Sequence, residues 1–205
     1  MGKMKFNDRI DNFNIVSSFT ENPKYDFGSY AKGYHNAARK LANLFLEQSS
    51  FNDCDGYPIV FLYRHSFELY MKNIIYWGIR LTDFKNSTID SKLYNHHKLV
   101  ELSFLCCNIL KILFPDDSDI HDITKKIRYY ADEFSSLDPD SFSYRYPINK
   151  SGDYSTNKHQ IVSITSLSIN MNELLDICEI INFGLDVETC KEVEIINALT
   201  YFSEN

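Results

Sequence analysis

Apolar residues recur at helical spacing along most of the chain. Tyr34, Ala37, Ala38, Leu41, Ala42, Phe45 and Leu46 share one face, which predicts a helix from about Ser29 to Gln48, ended by the polar loop Asn52–Gly56. A second helix begins with Pro58 in its first turn, where a missing N–H costs nothing, and reaches about Leu81. Its apolar residues (Ile59, Val60, Phe61, Leu62, Phe67, Leu69, Met71, Ile74, Ile75, Trp77) lie nearly all round, the mark of a central helix packed on several sides. After the polar stretch Asp83–Tyr94, Asn95 is the natural N-cap of a third helix carrying Leu99, Leu102, Leu105, Cys106, Ile109 and Leu113, stopped at Pro115. Asp116, Asp117 and Asp119 suit the N-terminus of a fourth, whose stripe is Ile120, Ile123, Ile127, Tyr130 and Phe134 and which closes at Asp138-Pro139. A fifth is predicted from about Thr165 to Phe183 with Gly184 as its C′ residue, and a sixth from Glu188 to about Phe202 through Val193, Ile196 and Leu199.

The period changes between Phe142 and His159. Phe142, Tyr144 and Tyr146 alternate with Ser143 and Arg145, and Pro147 and Ser151-Gly152-Asp153 follow, which predicts a short strand or β-hairpin within about 142–160. The expected fold class is all-α: an antiparallel bundle of five to six helices with short connections and this one insertion. Residues 1–28 read as an irregular arm with Pro23 and Gly28 as breakers, 29–185 as the bundle, and 186–205 as an acidic C-terminal helix.

A chain of 205 residues is long enough for one core without metal or disulfide staples. Five cysteines with no C-x-x-C pair, three of them in apolar helical stretches, fit neither a disulfide framework nor a zinc ribbon. No apolar run approaches the ~18 residues a membrane span needs. Behind Lys3 and Lys5 no apolar leader follows, and Phe6 stands where a myristoylation motif wants Ser or Thr; the expectation is a cytoplasmic chain with no membrane partner. The net charge of −7 is unevenly placed. Residues 172–205 hold eight acids and one base, whereas 1–171 are balanced at 20 of each. Phosphate contacts need Lys and Arg, so any nucleic-acid surface must be a local patch outside the acidic tail. No Gly-rich phosphate loop is present.

The chemistry concentrates on the second helix. Arg64, Glu68 and Lys72 fall at i, i+4 and i+8, one row on an otherwise apolar helix, where ionised groups must pair or lose several kcal/mol each to desolvation. Glu68 can answer both cations, and His65 beside it could share the carboxylate. Such a row is either a structural ion cluster that fixes helix docking or a functional site. His96 and His97 open the third helix, where the helix dipole favours a neutral imidazole, and one of the two is expected to face the row. A metal held by His65, Glu68 and His97 lacks any supporting ligand spacing, so neither metal nor cofactor is expected. Arg145 between Tyr144 and Tyr146 can stack and still offer its fork to a phosphate or carboxylate, or can clip the hairpin to Glu68 or Asp132. Interleaved rings and bases also suit single-stranded nucleic acid. Arg128, at the margin of the fourth helix's stripe, is a further candidate. The candidate binding residues are therefore Arg64, Glu68, Lys72, His97, Arg128, Tyr144 and Arg145, and the candidates for any catalysis Arg64, His65 and His97.

At these residues the chain resembles the HEPN superfamily of helical nucleotide-binding domains. The matching pieces are Tyr34-Ala37-Ala38, PIVFLYRHSFELYMK (58–72), HHKLVEL (96–102) and FSYRYP (142–147), in an order similar to uncharacterised bacterial HEPN-like proteins. The resemblance implies a helical bundle that often forms homodimers, with roles in RNA cleavage, toxin–antitoxin pairs and phage defence. Nuclease members carry Arg, four to six residues, then His late in the fold; here Arg128 runs to Asp132, Glu133 and Phe134 instead. Without that histidine the general base for attack by a ribose 2′-hydroxyl is missing. The resemblance therefore implies a non-catalytic or degenerate domain that binds RNA, a nucleotide or a partner protein. A metal-independent ribonuclease with a non-standard site and a purely structural dimerisation module are the alternatives.

Overall fold

The computed structural model describes residues 26–48, 52–82, 93, 95–138, 141, 143–149, 151–155 and 161–204, with side chains up to Glu188. The N-terminal arm thus falls outside the described residues up to position 25. Five α-helices dominate: α1 (Phe27–Glu47), α2 (Gly56–Leu81), α3 (Leu99–Leu113), α4 (Ser118–Leu137) and α5 (Ile164–Glu204). A 3-10 turn, Asp53–Asp55, precedes α2, and no strand occurs among the described residues. The fold class is all-α. None of these helices is long and apolar enough to cross a membrane.

α2 is the central element that its all-round apolarity predicts. It packs against α1, α3 and α5, and its buried residues run from Ile59 to Gly78 almost without a break. Around it close Ala31, Ala38 and Ala42 of α1, Leu102, Cys106 and Leu110 of α3, Ile127, Ala131 and Phe134 of α4, and Met171, Leu174, Leu175 and Cys178 of α5. Gly78 permits the tightest of these approaches, because a Cβ there would overlap Ile109 Cγ2 of α3.

Directions depart from the expected antiparallel arrangement. α1 does oppose α2, as Tyr34 against His65 and Ala31 O accepting from Ser66 Oγ require. α2 and α5, however, run parallel: Tyr63–Asn172, Tyr70–Glu179 and Asn73–Asn182 bond at one constant offset of 109 residues. α3 follows α2 in the same direction, with His97 near Arg64 and Ile109 near Gly78. The reason is connection length. Residues 82–98 and 138–163 are long enough to bring the next helix back to the N-terminal end of α2, whereas only a tight turn enforces an antiparallel neighbour.

Three local expectations change as well. Asn95 is itself helical, α3 starts after Lys98, and His96 and His97 precede the helix rather than occupying its first turn. The segment predicted as a hairpin holds one isolated antiparallel bridge, Ile148–Tyr154, closed by Asn149 N–H to Asp153 O (2.8 Å) with Gly152 at φ +85°; residues 156–160 lie outside the description. Gly184 does not end a helix. α5 passes through it, and the separate sixth helix is the continuation of α5. The N-terminus of α4 follows the reading, with Asp117 Oδ1 accepting from the N–H groups of Asp119 and Ile120.

Candidate functional site

The row on α2 is the most deeply buried charged group among the described residues. Arg64 and Glu68 are 1% exposed and Lys72 3%. Lys72 Nζ lies 3.0 Å from Glu68 Oε1, and Arg64 donates to Glu68 Oε2 at 3.1 Å. A third partner arrives from the segment before α3: His97 Nδ1 is 2.8 Å from Glu68 Oε1 and, facing a carboxylate, donates to it. Burial pushes the Glu68 carboxyl up, but Lys72, His97 and Arg64 together outweigh it and hold the group below the ordinary glutamate value.

Arg64 carries the cluster across to the chain after α4. It donates to Ser141 Oγ (2.7 Å) and to the carbonyl of His97 (3.1 Å), and its Nε lies 3.4 Å from Asp138 Oδ2. Asp138 in turn accepts from Ser143 N–H at 2.9 Å. Ser141 has φ +63°, a left-handed conformation that costs a non-glycine residue about 1 kcal/mol; its bond to the buried guanidinium holds it there. One buried arginine thus ties α2, the entry to α3 and the exit from α4 together.

Above this cluster lies an aromatic face. Arg145 donates from Nε to the carbonyl of Ser141 (2.7 Å), and its guanidinium sits 5.6 Å from the Phe61 ring centre and 6.0 Å from that of Tyr146. Phe61 stacks on His65 at 5.4 Å, and Tyr34 meets His65 edge-on at 4.5 Å. Tyr144 packs against Tyr57 at 6.5 Å; burial, then Asp138 and Tyr57, push its hydroxyl up to about 12. Tyr57, Tyr146 and Tyr154 remain exposed around this end.

Of the residues singled out in the sequence, Arg64, Glu68, Lys72 and His97 meet in one cluster, with Arg145 and Tyr144 joining it through the 138–146 segment. His65 does not share Glu68. It lies one residue round α2 from Arg64, faces Phe61 and Tyr34, and is held below its ordinary histidine value by burial, with Arg145, Arg64 and Lys72 opposing the pull of Glu68. The histidine that reaches the row is His97, through Nδ1 and with its side chain 56% exposed, while the less exposed His96 pairs with Glu101 at 2.8 Å. Arg128 stands apart: it covers Phe104 of α3 at 5.6 Å and lies ten residues, about 15 Å of helix, before Asp138.

A second polar cluster was not anticipated. At the junction of α1, α2 and α5, Asn172 Oδ1 receives the Tyr63 hydroxyl (3.0 Å) and Arg39 Nε (3.3 Å) and lies 3.0 Å from Nε2 of the buried His35. Asp176 pairs with Arg39, and Glu179 with Lys32 (2.6 Å) and the Tyr70 hydroxyl (3.3 Å). The sequence signal is the matching heptad steps Lys32/His35/Arg39 and Asn172/Asp176/Glu179. Each reads alone as a solvated helix face, and only pairing α1 with α5 reveals the seam.

Comparison with family models, curated proteins and solved structures finds no significant match for the chain.

Proposed function

We propose that the chain is a HEPN-like helical domain, lacking the nuclease Arg–His spacing, that binds RNA or a nucleotide at the end of α2 where Arg145 sits. The observation that carries this reading is Arg145 flanked by Phe61 and Tyr146, with Tyr57 and Tyr154 exposed nearby. A guanidinium over rings offers a phosphate clamp beside stacking surfaces, the two elements of single-strand recognition. The buried cluster beneath contributes rigidity, since Arg64 fixes the Ser141 carbonyl side of the loop from which Arg145 projects. The bacterial defence or toxin–antitoxin setting, and homodimer formation, follow from the resemblance in sequence.

The test is fluorescence anisotropy with a labelled single-stranded RNA and with ATP. Arg145→Ala and Tyr146→Ala each should weaken binding by about 1–3 kcal/mol, the scale of a lost stacking contact, with little change in melting temperature for Tyr146→Ala. Absence of binding at low salt, or binding by both variants as tight as wild type, would refute the proposal and leave an interaction module as the better reading. The ribonuclease alternative has its own support in the Glu68-oriented imidazole of His97, whose side chain is 56% exposed. Cleavage of RNA in EDTA that His97→Ala abolishes while the fold persists would establish it.

A further inference from the structure

The seam between α1 and α5 brings one buried imidazole and two carboxylates together. His35 is 1% exposed, and its Nε2 lies 3.0 Å from Asn172 Oδ1. That oxygen already accepts from the Tyr63 hydroxyl and Arg39 Nε, so it is an oxygen and not the amide nitrogen, and the imidazole meets it as a donor: Nε2 carries the proton. Arg39's outer nitrogen, 3.3 Å from Nε2, finds its acceptor in Asp176. Nδ1 is then the ring's lone-pair nitrogen, and it lies 3.9 Å from Asp176 Oδ1, too far for a hydrogen bond. Glu179 stands one helical turn beyond Asp176, and donor atoms of all three side chains lie within 4.8 Å of one another. A lone pair beside carboxylate oxygens calls for a donor or a cation between them, and a water or a metal ion fills that place.

We propose that His35 Nδ1, Asp176 and Glu179 form a divalent transition-metal site, of zinc type, clamping α1 to α5. One imidazole and two carboxylates suit Zn²⁺ with water completing the coordination, whereas Mg²⁺ and Ca²⁺ prefer oxygen-only shells. The Nε2–H bond to Asn172 is the outer contact that fixes ring and tautomer in metal-binding histidines. Burial, then Arg39, hold the imidazole below its ordinary value against the pull of Asn172, Asp176 and Glu179, so the ring is neutral at pH 7. Lys32 and the Tyr70 hydroxyl hold the two oxygens of Glu179, and Arg39 one of Asp176; all three are competitors that the metal must displace or share. This site lies on a different seam from the Arg145 face and does not depend on RNA binding.

Titration of the full chain with Zn²⁺ against a chromophoric chelator, with melting temperature as a second readout, tests the proposal. One equivalent should bind and raise the melting temperature, and Mg²⁺ alone should not. Glu179→Gln and Asp176→Asn, both on partly exposed side chains and so compatible with folding, each should weaken Zn²⁺ binding at least tenfold. Lys32→Met should tighten it by removing a competing cation. Cys54→Ser, at the exposed thiol among the described residues, should leave it unchanged. Wild-type binding no tighter than about 100 μM, binding indifferent to both carboxylate variants, or loss in Cys54→Ser would overturn the assignment.

Discussion

Replacing Glu68 by alanine isolates what the buried row contributes. Lys72 is 3% exposed, and Glu68 is its counter-charge, at 3.0 Å. Arg64 would keep Ser141, the His97 carbonyl and the Asp138 carboxylate 3.4 Å away, so the uncompensated cation in the variant is chiefly Lys72. Breaking a buried pair by removing one partner costs about 3–5 kcal/mol. Urea unfolding of Glu68→Ala at pH 7 should therefore show a loss of about 3–5 kcal/mol. Adding Lys72→Met to Glu68→Ala should recover much of the loss. A Glu68→Ala midpoint equal to wild type, or a double variant weaker than the single, would refute the view that Lys72 depends on Glu68.

Two further outcomes follow from the geometry. His35 and His65 are both held below the ordinary histidine value by burial, so their contribution is complete above about pH 6.5 and is lost as pH falls below it, by up to about 1.4 kcal/mol per unit for each. Urea midpoints that stay flat from pH 7 to pH 5.5, or a slope that His65→Gln leaves untouched, would contradict this. Gly184 lies inside α5 with open space where a Cβ would point, so Gly184→Ala should stabilise by about 0.5–1 kcal/mol. Destabilisation of that variant would restore Gly184 as a helix C-terminus with positive φ.

Hydrophobic period alone marked α1, α2 and α4 to within about two residues, because each carries a dense apolar stripe and a chemical stop: the Asn52–Gly56 loop after α1, Pro58 opening α2, Asp117 and Pro139 bounding α4. The start of α3 was misplaced because Asn95 is as good a cap in composition as Lys98 is poor, and the capping side-chain bond that usually decides is absent at Lys98. The Gly184 error has the same origin. A glycine signals a helix end only if the residues beyond it cannot continue, and here Val187, Val193, Ile196 and Leu199 prolong the pattern without a proline. The Arg64/Glu68/Lys72 row was legible since its members are local, at i+4 steps on an apolar helix. Asp138 and Ser141 were not, because they meet Arg64 across 74 or more residues of chain. Single-sequence periodicity carries no information about such pairings.

The two polar clusters differ in what their geometry can do. In the Glu68 cluster every charge is opposed at about 3 Å, and the guanidinium spends its donors on Glu68, Ser141 and the His97 carbonyl. Such a group is buried and charge-paired: a ligand could enter only by breaking bonds whose loss costs several kcal/mol, so its role is to hold Asp138, Ser141 and His97 in place. What it positions are Arg145 and the imidazole of His97, the latter 56% exposed. In the His35 cluster the imidazole spends one nitrogen on Asn172 and leaves the other 3.9 Å from Asp176. Burial in the first predicts that its variants change stability first and binding second. Exposure in the second predicts the reverse order for Asp176 and Glu179, whose ion pairs with Arg39 and Lys32 contribute little to folding. Measuring unfolding and ligand binding on the same set of variants would separate the two behaviours, and a Glu68 variant that lost binding at full stability would place the binding site inside the row rather than above it.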